Sequence, residues 1–299
     1  MRGERETPAS GSADPPALIS AAALADLLAS REDLVLLDAR GAKADYDAGH
    51  LTGARFVDPA RDLSSAAEPS ADPARGGRHP LPDASAWRRT LGTLGISPSS
   101  FVVIYDDQAG ANAAARAWWM LRSIGHRRAA VLDGGLGAAR AVGLPLIGAE
   151  PAVAVKAPYP GGNWQWPTVD IESVDRLRND PAWRVLDVRS RERFAGENEP
   201  FDPIAGHIPG AVNLSYAENL LDGRFRSPEA LRALYGELLG GLNPDHLIVH
   251  CGSGVTACHT LLALEHAGMH GAALYVGSWS EWCRSRKPRA GRKEQGVPQ

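Results

Sequence analysis

AGHLTGA, residues 48–54, comes back as AGHIPGA at residues 205–211. Neither a strand period nor a helix period produces that heptapeptide, so it reads as one structural unit written twice. Working outward, LVLLDAR (34–40) precedes the first copy and RVLDVR (184–189) the second. Both are apolar runs closed by Asp-x-Arg, the pattern of buried strands whose ends carry charge. After the copies come FVVIYDDQAG (101–110) and LIVHCGSGV (247–255), then VLDGGL (131–136) and LYVGSW (274–279). The order is the same in both halves and the offset drifts little. The largest drift lies between Asp187 and His207, where the second half holds extra chain from Ala195 to Pro203. The rival reading is two unrelated α/β domains whose strands mimic a repeat.

Short strands alternate with helical stretches such as ARAWWMLRSIG (115–125) and LRALYGELLG (231–240), and Gly125 and Gly268 stand where helices should end. Alternation of this kind predicts an α/β fold, each half a parallel sheet covered by helices on both faces. Residues 1–16 read as a disordered lead-in, 17–150 as the first domain and the Pro/Gly-rich stretch 151–167 as a linker. Residues 168–284 read as the second domain and 285–299 as a basic, solvated tail.

The chain has 299 residues, 44% hydrophobic and 22% charged, which fits two globular domains. A net charge of −3 gives no basic field for nucleic acid or a membrane surface. No apolar run is long enough to span a bilayer, and the start lacks the apolar core of a secretory signal. Three cysteines, Cys251, Cys258 and Cys283, argue against a disulfide framework and for a reducing, cytoplasmic setting.

The chemistry concentrates in IVHCGSGVTACHTLLALEHAG (248–268). Cys251 opens a turn of Gly252, Ser253 and Gly254 between a buried strand and a helix. Small residues let successive amides point inward as an anion-binding nest, and the helix adds the positive end of its dipole. A thiolate is stabilised in such a place, and so is a sulfur carried on it as a persulfide. Cys258, in the helix, reads first as a core residue and second as a resolving thiol, and Cys283, near the tail, as incidental. A cysteine phosphatase needs an Arg six residues after the Cys, where this chain has Ala257. A metal site from Cys251, Cys258 and His259 has poor spacing and no fourth ligand. A non-catalytic binding module predicts a blocked loop, which two glycines do not make. In the first half Asp106 stands at the place of Cys251, and a carboxylate cannot carry sulfur. That half is therefore expected to be catalytically silent and to wall the site at the domain interface.

The chain resembles the tandem rhodanese and 3-mercaptopyruvate (thiosulfate) sulfurtransferases over roughly residues 19–282. The likeness rests on the two AGHxxGA segments, WWMLRSIGH, VLDGGL, CGSGVTAC and GSWSEW. It implies two tandem rhodanese-like domains with only the second active, no cofactor and no metal. It also implies transfer of sulfur from 3-mercaptopyruvate or thiosulfate to cyanide or a thiol, a thiol protein such as thioredoxin included. A monomer or weak homodimer is expected. By resemblance Cys251 is the nucleophile, Arg193 holds the donor's carboxylate or sulfonate, and Ser253 assists proton handling. His79 reaches in from the first domain, and Gly252, Gly254, Val255 and Thr256 shape the substrate loop. Asp187 and Arg189 match a structural brace. CGSGVTA favours 3-mercaptopyruvate. Two departures favour thiosulfate: Phe201 stands where a second Arg often follows Glu-Pro, and Ala60 where an Asp often completes a relay with His79 and Ser253.

Overall fold

The computed structural model describes residues 15–111 and 113–291. Most of the lead-in and the end of the basic tail therefore lie outside the described residues. The first sheet holds β1 (Leu18–Ile19), β2 (Leu34–Asp38), β3 (Arg55–Phe56), β4 (Phe101–Tyr105) and β5 (Ala129–Leu132) in the order β1-β5-β4-β2-β3, all parallel. The second holds β6 (Thr168–Val169), β7 (Arg184–Asp187), β8 (Val212–Asn213), β9 (Leu247–His250) and β10 (Ala273–Tyr275) in the order β6-β10-β9-β7-β8, again parallel. The two orders are identical, so the sequence repeat is a repeat of topology. Residues 151–167, without helix or strand, run between the sheets.

The two repeated signatures meet in space. Arg189 grips Asp187 at 2.6 Å and donates to the Gly206 carbonyl at 2.8 Å, which ties the strand end to the AGH segment. Arg40 does the same with Asp38 at 2.7 Å and Gly49 at 2.8 Å. His50 and His207 bond carbonyls of the preceding helical turns, Tyr46 and Phe194, as turn-fixing residues do.

Strand side chains alternate between two cores. Val35, Leu37, Val102 and Ile104 face the same cluster as Leu186, Leu247 and Val249 of the other half. Between the sheets lie the helices Ala114–Ser123, with buried Trp118 and Trp119, and Ala257–His266. One hydrophobic core thus serves both halves, while Leu36 and Val103 face an outer core of the first half and Val185 and Ile248 one of the second. No helix among the described residues is long and apolar enough to cross a membrane.

Candidate active site

Cys251 follows the C-terminal end of β9, the edge at which parallel sheets present their ligands. Its N–H donates to Ser278 Oγ at 3.1 Å, and its carbonyl accepts from Trp279 at 3.1 Å. The Gly252 carbonyl accepts from Ser280 at 2.8 Å. With its backbone held on both sides, the turn aims one amide at the sulfur: Gly254 N–H donates to Cys251 Sγ at 3.2 Å. Gly254 has φ +77°, and a Cβ there would lie 2.4 Å from the Val276 carbonyl oxygen, so only glycine fits.

Cys251 is 3% exposed and lines a cleft of about 300 Å³ between the two halves. Arg78, His79 and Arg116 line it from the first half, and Arg193, Cys251 and Ser253 from the second. Gly252, Val255 and Thr256 complete the second wall, with Gly254 beside the sulfur. The residues expected from sequence are thus brought together in one place.

Three guanidinium groups, of Arg78, Arg116 and Arg193, line the cleft. Arg193 is held by Glu199 at 2.7 Å, and Glu199 also accepts from Arg189 at 3.0 Å. A Cβ on Gly252 would lie 3.0 Å from Arg193 Nη2 and 3.3 Å from Arg78 Nη2, so both guanidiniums stand over the turn. The Phe201 ring neighbours both, its centroid 5.2 Å from the Arg78 guanidinium and 5.1 Å from that of Arg193. The expectation that Phe201 deprives the cleft of a second cation is corrected here. The second guanidinium comes from the other domain, on Arg78, and Phe201 stacks against both. His79 bonds Ser253 Oγ at 2.8 Å. Burial, with Arg78 and Arg116 adding to it, lowers the His79 pKa to about 4, so the ring is neutral near pH 7. Among the described residues no carboxylate bonds His79, which agrees with Ala60 in place of a relay Asp.

The first half shows how this turn's amides gather on an acceptor. The Asp106 carboxylate accepts the amides of Gln108 at 2.9 Å, Gly110 at 2.8 Å, and Ala113 and Ala114 at 3.2 Å each. Burial pushes the Asp106 carboxyl up while these amides oppose it, so the turn there is filled by its own side chain. Cys251, at the equivalent position, lines the cleft. Cys258 sits in the core, its thiol pushed up to about 12 by burial, and Cys283 is also buried. Among the described residues no cluster of His, Cys, Asp or Glu could hold a metal.

The family profile of a rhodanese-like domain matches residues 20–141 and 170–285. The chain belongs to the rhodanese family. It is 43% identical to the probable 3-mercaptopyruvate sulfurtransferase of Pseudomonas aeruginosa over 278 residues, 89% of this chain and 94% of that protein. It is 36% identical to the putative thiosulfate sulfurtransferase SseB of Mycobacterium tuberculosis, covering 89% and 93% of the two. The solved 3-mercaptopyruvate sulfurtransferase from Leishmania major superposes with a TM-score of 0.73 at 30% identity, over 89% of this chain and 74% of that one. Within this tandem rhodanese, Arg78 and Arg116 are the charged cleft residues that sequence reading missed. Arg78 adjoins His79, and Arg116 is the one charge in the apolar stretch ARAWWML, a signal available from sequence.

Proposed function

We propose that this rhodanese-family chain transfers sulfur through a persulfide on Cys251. The observation that carries the reading is the Cys251 sulfur under the Gly254 amide, in a cleft with Arg78 and Arg193 over the turn. The thiolate attacks the outer sulfur of the donor. With thiosulfate the S–S bond breaks, sulfite leaves with the electron pair, and the outer sulfur stays on Cys251. With 3-mercaptopyruvate the C–S bond breaks, and the enolate that leaves takes up a proton to become pyruvate, balancing the one on the donor thiol. The neutral His79–Ser253 pair is placed to pass that proton without adding charge. Turn amides and the cleft guanidiniums stabilise negative charge on sulfur and on the leaving group. A thiophile, cyanide or a thiol, then attacks the outer sulfur and frees the Cys251 thiolate. Two half-reactions of this kind give ping-pong kinetics.

The donor reading is 3-mercaptopyruvate, because two guanidiniums beside Phe201 suit a carboxylate. Thiosulfate is the second reading, since it is a small anion and the same cleft would hold it. We assign residues 17–150 the silent wall, 151–167 the linker and 168–284 the catalytic domain. Both walls come from one chain, which suits a monomer or weak homodimer. All three cysteines are unpaired, which suits the cytoplasm, where a thiol protein such as thioredoxin would serve as acceptor. Replacing Cys251 with Ser tests the reading. Turnover with both donors is expected to vanish while folding is kept; a variant that keeps turnover with either donor refutes the assignment.

A further inference from the structure

Arg116 is 1% exposed, yet it has no ion-pair partner among the described residues. Its Nη1 donates to the Gly254 carbonyl at 3.3 Å, and its Nη2 to the carbonyls of His79 at 3.1 Å and Leu63 at 3.5 Å. Its Nε is buried with no partner. Carbonyl dipoles solvate a guanidinium but do not neutralise it, and a buried charge without a counter-charge is expensive to keep. The nearby Cys258 thiol is no counter-ion, because burial keeps it protonated up to about pH 12. Arg78 and Arg193 differ in this respect, since each has an acidic partner: Asp202 for Arg78 and Glu199 for Arg193. Arg116 lines the Cys251 cleft, so the missing negative charge belongs there.

We propose that Arg116 is a positioning residue of the non-catalytic domain whose unpaired buried charge is completed by the anion that enters the cleft. Its fork fastens the carbonyl of Gly254, the residue whose amide meets the sulfur, to the carbonyl of His79, the residue that bonds Ser253. The first domain would thus set both the charge and the shape of the site in the second. The inference rests on the proposed function, in which small anionic donors come to Cys251.

The test compares two alkylating reagents at Cys251, iodoacetate and iodoacetamide, as a ratio of rate constants. Both consume the same thiolate, so the ratio reports cleft charge and not thiol reactivity. Arg116→Gln keeps a hydrogen-bond donor and removes the charge, and the ratio should fall about 10-fold. Arg116→Lys keeps a charge that burial makes titratable. Its ratio, divided by that of wild type at the same pH, should fall as the pH rises between about 5 and 10; Tyr216 and Cys251, which line the same cleft, are common to both proteins. His79 at about 4 and Cys258 at about 12 do not change charge in that interval. A Gln ratio within about two-fold of wild type, or a Lys ratio in fixed proportion to wild type at every pH, overturns the proposal. If the Gln variant does not fold, the Lys pH series decides alone. Alkylation needs no turnover, so retained activity in Cys251→Ser would sink the proposed function without altering these ratios.

Discussion

Phe201 shows how a single side chain changes its meaning once its neighbours are known. Along the sequence it looks like the loss of an arginine; in space its ring neighbours two of them. Arg78 could not be read as the second cation because it is far from Phe201 in the chain, and only the docking of the domains brings them together. Cys251, by contrast, was legible, because strand, small-residue turn and helix are consecutive and the nest follows from local backbone. If Arg78 grips the donor, Arg78→Ala loses hydrogen bonds to a charged group worth ~1.5–3 kcal/mol. KM for either anionic donor is then expected to rise about 10–100-fold, with a smaller change in kcat. Steady-state kinetics check this, and an unchanged KM would remove Arg78 from the donor site.

The Asp-x-Arg ends of β2 and β7 act at the level of the element. Each brace pins a strand end to the AGH segment that follows it, which is why the two motifs recur together. This part of the fold was legible because each motif is short and local. The order of strands in the sheets, and the single core that both halves feed, depend on contacts that no local pattern reports. Burial would raise the Asp187 carboxyl, but the charge and hydrogen bonds of the Arg189 guanidinium outweigh it and hold the pKa below the usual carboxylate range. Without Asp187 the buried Arg189 keeps Glu199 but loses the carboxylate that holds its Nε and Nη2. Asp187→Ala should cost ~3–5 kcal/mol in urea unfolding. Lys43→Ala, which breaks exposed pairs with Asp47 and Glu150, should stay within about 1 kcal/mol. Equal losses in the two variants would contradict the brace.

Across the whole molecule the domains share packing, polar bonds and the cleft itself. His259 of the second domain stacks on Phe225 and bonds the Ala109 carbonyl of the first at 3.2 Å. His126 bonds Tyr159 of the 151–167 stretch at 2.9 Å. Burial lowers the pKa of His126 to about 4 and that of His259 to about 3. Both lie below the unfolded value near ~6.5, so the unfolded chain takes up protons first as the pH drops. The stability these rings contribute is complete above about pH 6.5 and is lost progressively towards pH 4 and below. The melting temperature should therefore fall between pH 7 and pH 5, and His259→Gln, which cannot titrate, should show a shallower fall. An equally steep fall in that variant would remove His259 from the explanation. The central claim, that Cys251 carries the sulfur, is tested most directly by peptide mass spectrometry of the full chain incubated with donor and no acceptor. The account predicts one added sulfur on the peptide containing Cys251, discharged when cyanide is supplied. Sulfur found instead on Cys258 or Cys283, or on no cysteine at all while turnover proceeds, would contradict it.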